Sequence, residues 1–476
     1  MSLADLQKLP EGLAEAATIV DGLDLCLAMG MSRLSDLERE KLTAFGEVFA
    51  GSPLGEPVKV ALEAIAESRF APEHFLPLAI ARASLQASQH DALRAQLAAA
   101  LQLADSPAVE APSLQVQDRE AVARLSAAQH LLAELAISGF ANAQPEQLAG
   151  FARHLEALQE HADSARAAAL FTSFFHELLE TLPVDGPEKA PRRRWGDLWS
   201  RGFITASYPA QPDSAQPRPA KGLFTPIGSD VRSSAFFCAA AIHGVFQPDD
   251  GGPAFWTWMA FQSYKVDLIS GHENWALFRP AIDPLLQALA DGGTFQINEG
   301  GVFPDGRLTA VEMTAAPATS FDPVALVEKA VGQLPPAPDV YTRHPVHLAQ
   351  PVLLREIAVT KAGEGWMAKS ADGVTLPLFA EANPDWSELG AIDLATLTQL
   401  VGFIRFDAGA WRLQPLCGRA KLPDPPAPPK KKVKPPKGGW GEGWVRTGMY
   451  ALAALTASPS ETLEVLSERA SKLLRS

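Results

Sequence analysis

Residues 1 to about 185 constrain the fold most, because their apolar positions recur at three- and four-residue steps. Leu97 and Leu101, with Leu103 close by, form one such set, and Leu125, Leu132 and Leu135, at seven- and three-residue steps, another. This spacing gathers side chains on one face of an α-helix, so each helix must bury that face against a neighbour. Alanine is frequent and β-branched residues are sparse, which lowers the entropic cost of helix formation. Breaks fall at Gly51-Ser52-Pro53, Ala71-Pro72, Asp105-Ser106-Pro107, Gly139 and Gln144-Pro145. They divide the region into roughly eight or nine helices joined by short loops. No tetratricopeptide or ankyrin signature recurs at a fixed period. The expectation for 1–185 is an all-α helical bundle or irregular solenoid, with Ala104 to Val116, carrying Pro107 and Pro112, dividing it into two lobes.

Pro183 to Pro191 closes that region and Arg192-Arg193-Arg194 opens the next. Between 192 and 338 aromatic residues crowd together: Trp195, Trp199, Phe203, Phe224, Phe236, Phe237, Phe255, Trp256, Trp258, Phe261, Trp275 and Phe278. Asp283-Pro284 and Asp322-Pro323 each place a capping residue before a proline, so helices are expected over Asp283 to Ala290 and Asp322 to Leu334. Thr294 to Asn298 and Leu308 to Met313 read as strands, with Asp305-Gly306 as a turn between them. This is a central α+β domain whose topology the sequence leaves open.

Residues 344–418 read as a small antiparallel β module, barrel-like in plan. Val352 to Thr360, Trp366 to Lys369, Val374 to Leu378, Leu400 to Phe406 and Trp411 to Leu416 are short apolar runs. Ala362-Gly363-Glu364-Gly365, Asp372-Gly373 and Asp407-Ala408-Gly409 supply residues that tolerate positive φ and reverse the chain. Asn383-Pro384-Asp385 followed by Trp386-Ser387-Glu388-Leu389 reads as a capped short helix. The order Val352-Leu353-Leu354, Gly365-Trp366, Ala371 to Leu378, Trp386 to Leu389, Val401-Gly402-Phe403 and Trp411 to Leu416 resembles the C-terminal part of bacterial SWIM zinc-finger family proteins. Such proteins are accessory components often encoded beside MoxR-type AAA+ ATPases and von Willebrand A proteins, and the resemblance implies partners of that kind. The SWIM metal motif needs Cys-x-Cys followed by Cys-x-His, whereas the only cysteines here are Cys26, Cys238 and Cys417. The resemblance therefore brings no zinc site to this chain.

Residues 422–439 form a linker in which Pro423, Pro425, Pro426, Pro428 and Pro429 precede Lys430, Lys431, Lys432, Lys434 and Lys437. Prolines disfavour regular structure and the lysines repel one another, so a stiff solvated tether is expected. Residues 443–476 read as a pair of amphipathic helices, Gly443 to Ala457 and Ser460 to Leu474.

A chain of 476 residues has length for two to four domains. Its net charge of −14 repels phosphates at long range and argues against general nucleic-acid binding. Three scattered cysteines give neither a disulfide framework nor a metal spacing, which points to a reducing compartment. The start Met1-Ser2-Leu3-Ala4-Asp5 lacks a basic region followed by an apolar core, and no run approaches the ~20 apolar residues of a membrane span. A cytoplasmic protein is expected.

Convergent chemistry is sparse in the sequence. His176-Glu177-Leu178-Leu179-Glu180 puts His176 and Glu180 one helical turn apart, but a zincin needs histidine at the last position. Gly271-His272-Glu273-Asn274-Trp275 joins an imidazole to a carboxylate, and with His243 and Asp249 supplies the one polar cluster an enzyme of the central domain would use. His344-Pro345-Val346-His347 is read as extended, with its two rings facing opposite sides. No Gly-x-Ser-x-Gly elbow and no Walker A loop occurs. The sequence therefore names no catalytic residue, no metal ligand and no cofactor. The aromatic residues of the central domain are expected as core, with Trp195 and Trp199 beside Arg192, Arg193 and Arg194 as the alternative, a docking face, and the lysines of the linker as further candidate interaction residues. The function expected is a non-enzymatic scaffold or adaptor, an accessory subunit of a MoxR AAA+ and von Willebrand A type system. Alternatives are an enzyme centred on His272 and Glu273, and nucleic-acid binding through Lys430, Lys431 and Lys432.

Overall fold

The structure is a computed structural model. It describes residues 3–104, 119–161, 164–186, 189–208, 217–233, 237–264, 285, 293–316, 322–332, 334, 338, 341, 343–379, 394–421 and 442–446. The fold mixes helix with two sheets.

The helical part consists of α1 (Leu13–Met29), α2 (Asp36–Glu47), α3 (Gly55–Ala66), α4 (Pro72–Leu101), α5 (Arg119–Ser138), α6 (Pro145–Gln159), α7 (Ala165–Thr181) and α8 (Arg192–Ser207). Local chemistry sets several of the starts. Pro72 and Pro145 occupy the first turns of α4 and α6, where no helical N–H partner is lost. Ser35 and Glu38 form a reciprocal capping box on α2, with the Glu38 N–H donating to Ser35 Oγ at 3.4 Å and the Ser35 N–H to Glu38 Oε2 at 2.7 Å.

The helices repeat one plan twice. Gly30 after α1 has φ 106° and ψ 124°, and Gly139 after α5 has φ 93° and ψ 134°. Each glycine is followed by a 3-10 turn, Met31–Arg33 or Phe140–Asn142, and then by an extended pair before the next helix. Buried positions correspond over the same interval: Leu23 with Leu132, Cys26 with Leu135, Leu27 with Ala136, Met31 with Phe140, and Leu42 with Phe151. The two turns lie against each other. A Cβ on Gly30 would come within 2.6 Å of the Ser138 carbonyl oxygen, and one on Gly139 within 2.6 Å of Met29 backbone. Ser32 Oγ donates to the Ile137 carbonyl at 2.7 Å and Asn142 Nδ2 to the Met29 carbonyl at 3.2 Å, an approximately reciprocal exchange.

The last helix of the second half, α8, belongs to this core. Trp195 and Trp199 are both 0% exposed, packed on Phe140, Phe75 and Phe203, and Trp199 Nε1 donates to the Leu132 carbonyl. The two tryptophans are thus core, and the alternative of a docking face at Trp195 and Trp199 is overturned: aromatic area of that size, four residues apart on one helical stripe, is withdrawn from water by the neighbouring helices.

The first sheet holds β1 (Arg218–Pro219), β2 (Gly222–Ser233), β3 (Phe237–Pro248), β4 (Phe255–Tyr264), β5 (Thr294–Val302) and β6 (Leu308–Ala316). All its ladders are antiparallel; β5, β2, β3 and β4 lie in that order, and β1 and β6 both pair with β5. Its Phe224, Ile242, Phe246, Phe295 and Ile297 form one apolar cluster. Ile227 and Val245 belong instead to a cluster with Val327 of α9 (Pro323–Ala330) and with Val401 and Cys417 of the second sheet.

That second sheet runs β7 (Ala349–Leu354), β11 (Gln399–Asp407), β12 (Ala410–Lys421), β10 (Thr375–Leu378), β9 (Gly365–Ser370) and β8 (Ile357–Ala362), with β13 (Glu442–Arg446) on β12. Three expectations are corrected. The run Val352 to Thr360 is two strands, because Arg355-Glu356 interrupts it. The module is not wholly antiparallel, since β10 pairs with β12 in parallel. Gly443 to Arg446 is strand, because it completes the edge of β12, where Trp444 joins the apolar cluster between the sheets. Residues 380–393, 422–441 and 447–476 lie outside the described set, and with them the Trp386 helix, the lysine tether and the rest of the C-terminal helical pair. So does the helix expected over 283–290, save Leu285.

The core of the second sheet is completed by the helical part. Leu93, Leu97, Ala100 and Leu101 of α4 join Leu3 and Leu6 in one cluster with Leu354, Leu376, Leu400, Ile404, Trp411 and Leu413. α4 is 30 residues long and α8, its counterpart, is 16; the extra turns are the ones that enter the sheet. No helix among the described residues is long and apolar enough to cross a membrane.

Candidate functional site

The densest set of charged side chains is buried where α1, α4 and α8 meet the segment leading into the second sheet. α4 carries Arg82, Gln86, Gln89, His90 and Arg94 as a buried polar stripe beside its apolar face. Arg82 grips Asp24 of α1 with both ends of its guanidinium, Nε to Oδ1 at 2.7 Å and Nη2 to Oδ2 at 2.9 Å. It also donates to Ser200 Oγ at 3.3 Å and to the Arg193 carbonyl at 3.0 Å, and Asp197 lies 3.9 Å away. Arg201 closes the cluster on Asp197. Gly196 makes room for it: a Cβ there would fall 2.0 Å from Asp24 Oδ1 and 3.0 Å from Arg82 Nε.

The electrostatics follow from burial and pairing. Burial pushes the Asp24 carboxyl up to about 6 against the pull of Arg82. Burial works to lower the Arg82 value, but Asp24 and Asp197 outweigh it and hold the guanidinium above its ordinary value. Asp197 is largely buried, which works to raise its carboxyl pKa, yet Arg201 and Arg82 outweigh this and hold it below the usual carboxylate range. Asp24 and Arg82 thus pull in opposite senses on the worth of their pair. The two-pronged geometry decides for an ion pair at neutral pH, because Arg82 does not give up its proton and Asp24 still titrates below 7.

A carboxyl raised toward neutrality is the type of group used in acid–base catalysis. Here the side chains of Asp24 and Arg82 are 0% exposed and both Asp24 oxygens face Arg82, so no reacting molecule reaches them. The cluster clamps elements together. It extends to His344, where burial drives the imidazole down to about 4 although Asp197 opposes this. His344 Nδ1 accepts from the Val346 N–H and caps the 3-10 turn Pro345–His347. The extended reading of this tetrapeptide is therefore corrected: in a 3-10 turn residues three apart eclipse, and the rings of His344 and His347 come to 6.1 Å.

Further bonds tie α4 to the second sheet. Arg343 donates to Asp91 Oδ2 at 2.8 Å, and Trp411 Nε1 to Gln96 Oε1 at 3.0 Å. Between the sheets Arg405 donates to Asp230 Oδ2 at 3.3 Å and to Gln414 Oε1 at 2.7 Å.

Those residues singled out by sequence that are described lie in separate places. Arg193 binds Asp21 and Arg194 binds Glu177, while Arg192 is half-buried at the start of α8. His243 packs on Trp256 and Phe403 between the sheets, with ring centroids 6.3 and 4.7 Å away. Asp249 sits exposed in the turn beyond β3 and accepts from Gln296 Nε2. Six residues of strand separate the two by about 20 Å, so they do not share a site. His272, Glu273 and Lys430, Lys431, Lys432, Lys434 and Lys437 lie outside the described residues. Among the described residues no group of three or more His, Cys, Asp or Glu side chains is placed to hold a metal.

Asp24, Arg82 and Asp197 escaped the sequence reading. The available signal was a lone charge inside an apolar helical face, Asp24 between Leu23 and Cys26 and Arg82 between Ala81 and Ala83.

A second feature is open to solvent. A groove of about 490 Å³ lies beside the start of β8, lined by Arg355, Glu356, Ala358, Lys369, Thr398 and Gln399 among others. Comparison with family models, with curated proteins and with solved structures gives no match.

Proposed function

We propose that this chain is a non-enzymatic scaffold or adaptor working in a reducing, cytoplasmic setting as an accessory subunit of a larger assembly. The observation that carries the reading is the way α4 is used. One helix carries Arg82 in the ion cluster of the helical core and Leu93, Leu97 and Leu101 in the core of the second sheet. An adaptor must hold separate surfaces in a fixed relation, and a shared helix with a buried polar lock does that more rigidly than a linker. The buried charges are engaged with one another, which supports a clamping role for them over a reactive one. A MoxR-type AAA+ ATPase and a von Willebrand A protein are the partners the SWIM-like resemblance favours.

The test is affinity purification of the full chain from native extract, followed by mass spectrometry and cross-linking. A stoichiometric protein partner, an ATPase of that class above all, supports the reading. Recovery of the chain alone at near-physiological salt overturns it.

A further inference from the structure

We infer that the recess between α4 and the second sheet is a docking site for a partner's short turn of chain with leucines three residues apart, and that residues 3–9 fill it in cis as a displaceable plug. The inference rests on the scaffold reading and names its contact surface. Leu3–Leu6 is a single 3-10 turn, so residues three apart stack on one side of it. Leu3 and Leu6 are 1% and 2% exposed and Leu9 is half-buried, whereas Ala4, Asp5, Gln7 and Lys8 face solvent. The leucines enter the cluster that Leu93, Leu97 and Leu101 of α4 share with the second sheet.

The polar grip falls on main chain. Gln96 Nε2 of α4 donates to the Asp5 and Lys8 carbonyls, each at 2.6 Å, and Asp372, in the turn between β9 and β10, accepts from the Leu3 N–H at 3.3 Å. Trp411 Nε1 holds the other end of the Gln96 amide, donating to Oε1 at 3.0 Å, so both Nε2 hydrogens are aimed at the segment. Groups that every chain carries are read at both ends, and leucine side chains between them. A partner that presents the same leucine spacing in a turn therefore satisfies the recess, whatever its solvent-facing residues. The plug is also built to leave. Its Gln96 bonds lie in the open, where water replaces either of them with little loss. It joins α1 through Pro10, Glu11 and Gly12, of which the last two are exposed, and Gly12 sits at φ 78° with nothing within 4 Å of where a Cβ would lie. Ordering the backbone of residues 3–9 costs entropy of the same size as the gain from burying their leucines, so seated and released states lie close in free energy.

The probe is a fluorescein-labelled peptide of residues 3–12, titrated into the full chain and read by anisotropy. Beside it stand a peptide that keeps only the three leucines, every other position being glutamine or lysine, and one in which the leucines are replaced by serine. The chains compared are wild type, the double variant Leu3→Ser/Leu6→Ser, which frees the recess, and that variant with Gln96→Ala added. The first two peptides are expected to bind the double variant saturably and within about threefold of each other, the serine peptide at least roughly tenfold more weakly. Wild type is expected to bind the leucine peptides roughly tenfold more weakly than the double variant, because its own segment competes, and Gln96→Ala to cost several-fold. In wild type the Gln7 amide, bonded to the Ala4 carbonyl at 3.1 Å, is expected to exchange at least about a hundredfold faster than the central amides of α4. No peptide binding to wild type, or Gln7 exchange as slow as that of α4, makes residues 3–9 fixed core and overturns the proposal; both measurements hold even where the double variant fails to fold. Loss of the leucine-only peptide, or equal binding of the serine peptide, removes recognition by leucine spacing. A wild-type dimer that dissociates on adding the peptide gives the recess to a second copy and overturns the partner. Failure here is separable from failure of the scaffold reading: a partner recovered from extract and not released by excess leucine peptide keeps the scaffold and removes this recess, whereas peptide binding with no partner recovered removes the scaffold.

Discussion

Removing Asp24 from the buried cluster gives the sharpest test of how the helical core is held. In Asp24→Leu the Arg82 guanidinium stays 0% exposed but loses its two shortest bonds, at 2.7 and 2.9 Å. Ser200, the Arg193 carbonyl and Asp197 at 3.9 Å remain as partial compensation. Breaking a buried pair from one side costs about 3–5 kcal/mol, and the surviving partners put this case at the lower end, about 3 kcal/mol. Arg82→Met leaves a fully buried carboxylate and costs a similar amount. The double variant Asp24→Leu/Arg82→Met replaces both charges by apolar volume and is expected within about 1 kcal/mol of wild type. The assay is native-state hydrogen exchange of the amides of α1, α4 and α8, which reports local opening without assuming that the whole chain unfolds in one step. A loss of about 3 kcal/mol accelerates exchange by opening roughly a hundredfold. Single variants that exchange like wild type, or a double variant as impaired as the two singles summed, would refute the ion-pair reasoning.

Four further outcomes are expected. Lowering the pH through the window from 6.5 toward 4 removes the stability that His344 contributes by staying neutral in the fold, because the unfolded chain takes up the proton first. Asp24, raised from 3.8 to about 6, acts in the opposite sense over the overlapping range, so His344→Gln should show a smaller acid loss than wild type in urea titrations at stepped pH. Gly139→Ala should cost about 1–3 kcal/mol, measured by thermal denaturation, since the residue has φ 93° and its Cβ would sit 2.6 Å from Met29 backbone. Cys26, buried with its thiol pushed up to about 12 by burial and then by Glu38, should resist alkylation until the helical core unfolds; labelling at native pH, read by peptide mass, contradicts this. Trp411→Phe removes the bond to Gln96 and should lower stability by roughly 1 kcal/mol beyond its change in packing, a double cycle with Gln96→Ala isolating the term.

Several elements were legible in the residues themselves. The helix breaks at Gly139 and Gln144-Pro145 carry their own conformational requirement, a positive φ and a fixed first-turn φ. The strands β5 and β6 and the Asp322-capped α9 follow from alternation and capping in the same way. The turn at Arg355-Glu356 was not legible, because two charged residues inside a β-branched run look the same whether the strand continues or reverses. The repeated helical plan was hidden because its halves share buried positions and two glycine conformations but few identical side chains, and helix packing asks for volume and polarity over identity.

The sequence by itself determined the helical character of residues 1–185 and the strands β5 and β6, whose choice depends on neighbours a few residues away, but not the strand at Gly443 to Arg446, which forms because it pairs with β12. Tertiary structure alone decided that Trp195 and Trp199 join the helical core, that α4 serves two cores, and that Asp24, Arg82 and Asp197 meet. Such meetings join residues that are scores of positions apart. They are set by how the amphipathic faces stack, which no local pattern of residues records.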